Sequence, residues 1–154
     1  MARSSGSRRH RLVRETTTAG YEAPSQEGLT GVLYDSDVII EILRGRSRVV
    51  EAATVLESGR VPTYCTAVTV AEVYAGVRRG EETLTDAFLA ARGEVVLDAR
   101  IGRRAGEYLA RYAKSHGVEI ADALIAAAAA VSSLELWTLN RKHYPMTDLG
   151  FYDP

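Results

Sequence analysis

The stretch Gly31-Val32-Leu33-Tyr34-Asp35-Ser36-Asp37-Val38-Ile39-Ile40 decides the fold. An apolar run that ends on an acid and is followed at once by a helix-length apolar pattern reads as a central strand handing over to a helix, with Asp35 at the strand's carboxyl end. In open parallel sheets that edge is where ligands bind. The same hand-over recurs along the chain. Runs at 32–34, 62–65, 95–97 and 135–138 read as strands, with a further short one near Phe151, and segments 38–44, 48–58, 68–79, 81–92, 101–115 and 121–132 read as helices. Strands alternating with helices specify an α/β domain on a parallel sheet. Several helices are expected to stop at a cation followed by glycine, at Arg44-Gly45, Arg79-Gly80, Arg92-Gly93 and His116-Gly117. That pairing suits the negative end of the helix dipole and a left-handed residue past the last turn.

Four acid or amide positions fall where strands hand over to helices: Asp35, Glu72 in AVTVAEVYAG, Asp122 in IADALIAAAA, and Asn140 in LWTLNRKHYP. Side chains so far apart in sequence can converge at one edge of a parallel sheet, and clustered carboxylates repel one another unless a divalent cation neutralises them. The set points to a metal-dependent hydrolase of phosphodiesters. Each residue also has a purely structural reading. Asp35 can be a turn residue, with Asp37 as the N-cap of the following helix. Glu72 closes a capping box with Thr69, but if the helix is capped by Thr66 the glutamate lies beyond the first turn. Asp122 suits a helix N-terminus whatever its function, an effect of about 0.3–1 kcal/mol, yet the rest of its helix is almost wholly apolar and should bury it. Asn140 can cap a helix or meet a metal-bound water. His143, three residues on, reads as a surface or phosphate-contacting side chain.

Length and composition bound the rest. A chain of 154 residues, 46% hydrophobic and 25% charged, makes one soluble globular domain. Its formal net charge of −1 gives no overall attraction for nucleic acid, so any RNA contact must use a local basic patch. The single cysteine, Cys65, has no intramolecular disulfide partner and no catalytic constellation around it, which favours a reducing, cytoplasmic location. The longest apolar run, 126–131, is far short of the ~20 residues that span a bilayer. Residues 1–27, rich in Ser, Thr and Arg, lack apolar periodicity and are expected to form a flexible arm extraneous to catalysis, leaving 28–154 as the folded domain.

The motifs VLYDSDVII, TAVTVAEVYAGV, GVEIADALIAAAA, LWTLNRKHYP and the closing GFYDP, in this order and spacing, resemble the PIN-domain ribonucleases, and within them the VapC-type toxins of type II toxin–antitoxin modules. The resemblance covers residues 32–154. It implies a PIN-like α/β fold, a short central parallel sheet flanked by helices. It also implies a Mg²⁺- or Mn²⁺-dependent endoribonuclease, with Asp35, Glu72 and Asp122 matching the family's metal-binding acids. Asn140 departs from the pattern, standing where many members carry a fourth acid. The implied partners are an RNA substrate, a second copy of the chain, and a VapB-type antitoxin whose C-terminal segment lies across helices near residues 38–58, with an Arg reaching the acids. Tyr74, Tyr144, Arg78 and Arg141 are the side chains available to stack on or contact unpaired bases.

Two other readings fit less of the chain. DSD after an apolar strand resembles the start of a haloacid-dehalogenase phosphatase, with Asp35 as nucleophile and Asp37 as acid. That chemistry needs a placed lysine and a later acidic pair, whereas the only lysines are Lys114 and Lys142 and no adjacent Asp-Asp pair exists. A catalytically weak PIN-like binding module is suggested by the missing fourth acid, against which the other three acids stand.

Overall fold

The computed structural model describes residues 31–154, so the expectation for residues 1–27 lies outside the described residues. Four strands pair in parallel in the order β3-β2-β1-β4: β1 (Val32–Tyr34), β2 (Thr63–Thr66), β3 (Gly93–Val95) and β4 (Glu135–Trp137). The chain lays down β2 and β3 on one side of β1, then crosses over to place β4 on the other. This reversal creates a crevice beyond the carboxyl ends of β1 and β4, the switch point at which parallel sheets bind ligands. Phe151 adds an isolated parallel bridge to Leu136, as the short run near it foretold.

Every residue of β1 is fully buried because helices cover both faces of the sheet. On one face, Val32 and Tyr34 pack with α1 (Ser36–Leu43), α2 (Ser47–Ser58), Val73 of α3 (Ala67–Ala75) and Phe88 of α4 (Glu82–Ala90). On the other, Leu33 packs with α5 (Ala99–His116) and α6 (Ile120–Val131). Helix α5 is amphipathic, burying Ile101, Ala105, Tyr108 and Tyr112 at helical spacing. Beyond Asp122 in its first turn, helix α6 is apolar all round, and Ala126 to Ala129 have no exposed surface between α5 and the sheet.

Two helix ends follow the cation–glycine expectation: α1 stops at Arg44 before a left-handed Gly45, and α5 at His116 before Gly117 at φ 66°. The other two do not. Helix α3 already ends at Ala75, four residues before Arg79, and α4 ends at Ala90. Gly93 instead opens β3, two residues earlier than expected, because it lies under the ring of Tyr64, where a Cβ would come within 2.5 Å. Only a glycine allows the two strands to pair in that register, and Val96, expected inside the strand, is 68% exposed beyond it.

Candidate active site

The switch-point crevice is a cleft of about 300 Å³ lined by Asp35, Asp37, Glu72, Asp122, Asn140 and His143, with Ser36, Gly117, Glu119 and Ala121 completing the wall. All four sequence-predicted residues thus meet at one place, brought there by β1, α3, α6 and the turn after β4.

Asp35 ends β1 and is 7% exposed. One carboxylate oxygen accepts the Ser36 N–H at 2.7 Å and so caps α1, while the other accepts the Tyr144 hydroxyl at 2.7 Å. The expectation that Asp37 is the cap is therefore wrong. Asp35 follows an extended backbone and reaches the first free N–H, which leaves Asp37 inside the first turn of α1. From there one oxygen of Asp37 accepts the Leu139 N–H at 3.0 Å and lies 3.4 Å from the Thr138 hydroxyl, tying α1 to the end of β4. Its other oxygen is buried with no hydrogen-bond partner. Burial, and then the charge of Asp35, push the Asp37 carboxyl up to about 6.

Thr66 caps α3 by accepting the Thr69 N–H at 3.2 Å, so Glu72 is free of capping and half-buried on the cleft wall. Asp122 does share in capping, accepting the Glu119 N–H at 3.2 Å. Its other oxygen lies 3.4 Å from Nδ1 of His143, whose Nε2 is 3.0 Å from the Asn140 amide nitrogen. Asn140 makes no side-chain cap to the 3₁₀ turn Arg141–His143.

Sequence reasoning missed Asp37 as a cleft residue and misplaced Tyr144. Tyr144 is 4% exposed and cannot stack on a base. Burial, then the fields of Asp35, Asp122 and Asp37, hold its phenol far above the ordinary range, so it stays a proton donor to Asp35. A tyrosine directly after His143 in an otherwise polar turn was the available signal. Tyr74, by contrast, is 43% exposed, and Arg141 is paired with Asp153 over the Phe151 ring. Cys65 is buried in β2, and burial raises its thiol, which removes it as a nucleophile.

The donor set suits a hard divalent cation: carboxylate and amide oxygens, one of them buried without a partner. Among the described residues no Lys or Arg is ion-paired to Asp35, Asp37, Glu72 or Asp122. Nor, among the described residues, do three ligating side chains already close on a single point. An ion that keeps much of its own water, as magnesium does, tolerates such an open set.

Residues 32–148 match the sequence profile of the PIN domain. The chain belongs to the PIN-domain family. Two curated relatives come from Mycobacterium tuberculosis. Ribonuclease VapC10 is 41% identical over 118 residues, covering 75% of this chain and 86% of the relative, and Ribonuclease VapC19 is 34% identical over 116 residues, covering 74% and 92%. Among solved structures, a toxin–antitoxin complex from Klebsiella pneumoniae superposes on this PIN domain with a TM-score of 0.64 at 23% identity, covering 77% of this chain and 95% of that one. At that identity the likeness speaks for the fold. Among the described residues no helix is long and apolar enough to cross a membrane.

Proposed function

We propose that this PIN domain is the ribonuclease toxin of a toxin–antitoxin pair and cleaves RNA with a divalent cation held in the switch-point cleft. The observation that carries the reading is the cleft itself: the five carboxylates of Asp35, Asp37, Glu72, Glu119 and Asp122 line it, none of them paired to a Lys or Arg among the described residues, and one buried oxygen of Asp37 has no hydrogen-bond partner among them. The names of the curated relatives supply the substrate class, RNA. Asp35, Glu72 and Asp122 are the residues that would hold Mg²⁺ or Mn²⁺, with Asn140 facing the same space. A cation bound there supplies Lewis-acid polarisation of the phosphate and a water of lowered pKa. The protein's own part is orientation. Tyr144 and the Ser36 N–H fix the Asp35 carboxylate, and the Leu139 N–H fixes Asp37.

The antitoxin reading has a physical basis in a second, more apolar groove of about 560 Å³, lined by Val49, Ala52, Val55, Trp137, Leu139 and Tyr152. Leu139 lines this groove, its N–H holds Asp37, and its neighbour Asn140 lines the cleft. A peptide seated in the groove therefore ends beside the acids, where an arginine would form a bidentate pair with a carboxylate. The groove lies on α2 and agrees with the 38–58 region expected for a VapB-type partner. Exposed apolar side chains on other faces, such as Leu84 and Val96, leave room for a homodimer, which light scattering at micromolar concentration tests.

Calorimetric titration with Mn²⁺, run alongside cleavage of a cellular RNA pool with and without chelator, tests the catalytic reading. Cation binding together with chelator-sensitive cleavage supports it. Cleavage that survives exhaustive chelation overturns the metal, and absence of cleavage with intact Mn²⁺ binding favours a binding module.

A further inference from the structure

An amide has two ends of almost equal shape and opposite character, an acceptor oxygen and a donor NH₂. At the rim of a cation site only one of them is useful, because the NH₂ end repels the ion. Asn140 lies on that rim, so something has to choose which end it presents. Its backbone is already fixed. The Asn140 N–H donates to the Thr138 hydroxyl oxygen at 3.1 Å, and the Asn140 carbonyl accepts the His143 N–H at 3.2 Å. What remains free is rotation of the side chain.

We infer that His143 is the positioning residue that makes this choice, orienting the Asn140 amide so that its oxygen is left for the cation. The reasoning runs along a chain of three side chains. Nδ1 of His143 lies 3.4 Å from a carboxylate oxygen of Asp122, and a negative charge there favours the proton on Nδ1 over a lone pair. A neutral imidazole with its proton on Nδ1 carries a lone pair on Nε2. Nε2 is 3.0 Å from the Asn140 side-chain nitrogen, so it accepts an amide N–H. The opposite amide orientation would set the Asn140 oxygen against that lone pair. The carboxylate of Asp122 thus dictates the tautomer of His143, and the tautomer dictates the face of Asn140. With one N–H engaged by His143, the amide is held with its oxygen on the side away from the ring, and that oxygen is an acceptor of the kind an aspartate at that position would offer. The inference rests on the cation site proposed above.

The test is Mn²⁺ affinity by calorimetry, at one fixed buffer condition, for the full chain and three variants: His143→Ala, Asn140→Asp and the double variant. Removing a residue that orients a ligand costs about tenfold or more in metal affinity. His143→Ala should therefore bind Mn²⁺ about tenfold more weakly than wild type. In the Asn140→Asp background the same substitution should change affinity by less than about twofold, because a carboxylate offers an oxygen whichever way it turns. Metal-free melting curves of all four proteins should coincide within a degree or two, since His143 is 55% exposed. Equal affinity of wild type and His143→Ala overturns the inference, as does an equal loss in both backgrounds. A wild type that binds no Mn²⁺ instead overturns the cation site, and this inference with it.

Discussion

Two groups of acids in this molecule have opposite surroundings. On α5 and the C-terminal segment, Asp148 accepts the Tyr108 hydroxyl at 2.7 Å and the Arg104 guanidinium at 2.5 Å, and Arg104 also reaches Glu107 at 2.9 Å. Its carboxyl, although partly desolvated, is held below its ordinary value by those two donors. In the cleft, Asp37 is deeper, has Asp35 beside it and has no cationic partner among the described residues, and its carboxyl is pushed up to about 6. The first acid is supplied with its countercharge by the fold. The second has none among the described residues, and perturbed acids of this kind cluster at functional sites.

The largest effect that would break this contrast is on catalysis. Asp35→Asn and Asp122→Asn each keep a side chain able to accept the N–H that it caps, so folding should survive, while RNA cleavage should fall roughly 10²–10³-fold, as expected from losing a few kcal/mol of cation-based stabilisation. Single-turnover cleavage with a metal-free melt reads both quantities. A drop in both would reduce these acids to caps.

Next comes pH, where the two groups should pull in opposite directions. Asp37 has a folded value near 6, above its ordinary 3.8, so the native state binds more protons in that window and metal-free stability should fall as pH rises through it. Asp148 has a lowered folded value, so its contribution is present above 3.8 and is lost as pH falls through that lower value. Melting the chelated protein between pH 3 and 7 should show the first slope disappear in Asp37→Asn. The same slope should also shrink in wild type with saturating Mn²⁺.

These readings also mark what was legible in the sequence. Asp35, Glu72, Asp122 and Asn140 could be placed at one sheet edge because each follows an apolar run or opens a helix, and such punctuation is local. The exchange of roles between Asp35 and Asp37 was not legible. Asp-Ser-Asp fits either capping register, and the contact that settles it, Leu139 N–H to Asp37, spans 102 positions in the chain. Tyr144 was misread for the same reason, since its partner Asp35 is 109 positions away. The early start of β3 depended on the ring of Tyr64 lying over Gly93, a packing event between strands.

A smaller effect sharpens the structural side of the comparison. Tyr108→Phe removes one hydrogen bond to a charged, partly exposed acceptor and should cost about 1 kcal/mol in urea denaturation, with Mn²⁺ affinity and cleavage unchanged. A change in cleavage would mean that the two groups are coupled. The smallest effect is expected from deleting residues 1–27. The family match begins at residue 32, so melting temperature and Mn²⁺ affinity should stay as they are, and calorimetry on the shortened chain checks it.

The run Ala126 to Ala129, wedged without exposed surface between α5 and the sheet, has a consequence for how this protein can change over generations. Any larger side chain there overpacks the interior at roughly 1–3 kcal/mol, and glycine loosens the helix by about 1 kcal/mol. Neutral drift therefore has almost nowhere to go in this segment. Asp122 lies in the first turn of the same helix, so a stretch with little room for larger side chains is also the mount for one of the cleft acids. Change in this protein is then expected to fall on exposed side chains such as Tyr74, leaving this mount in place.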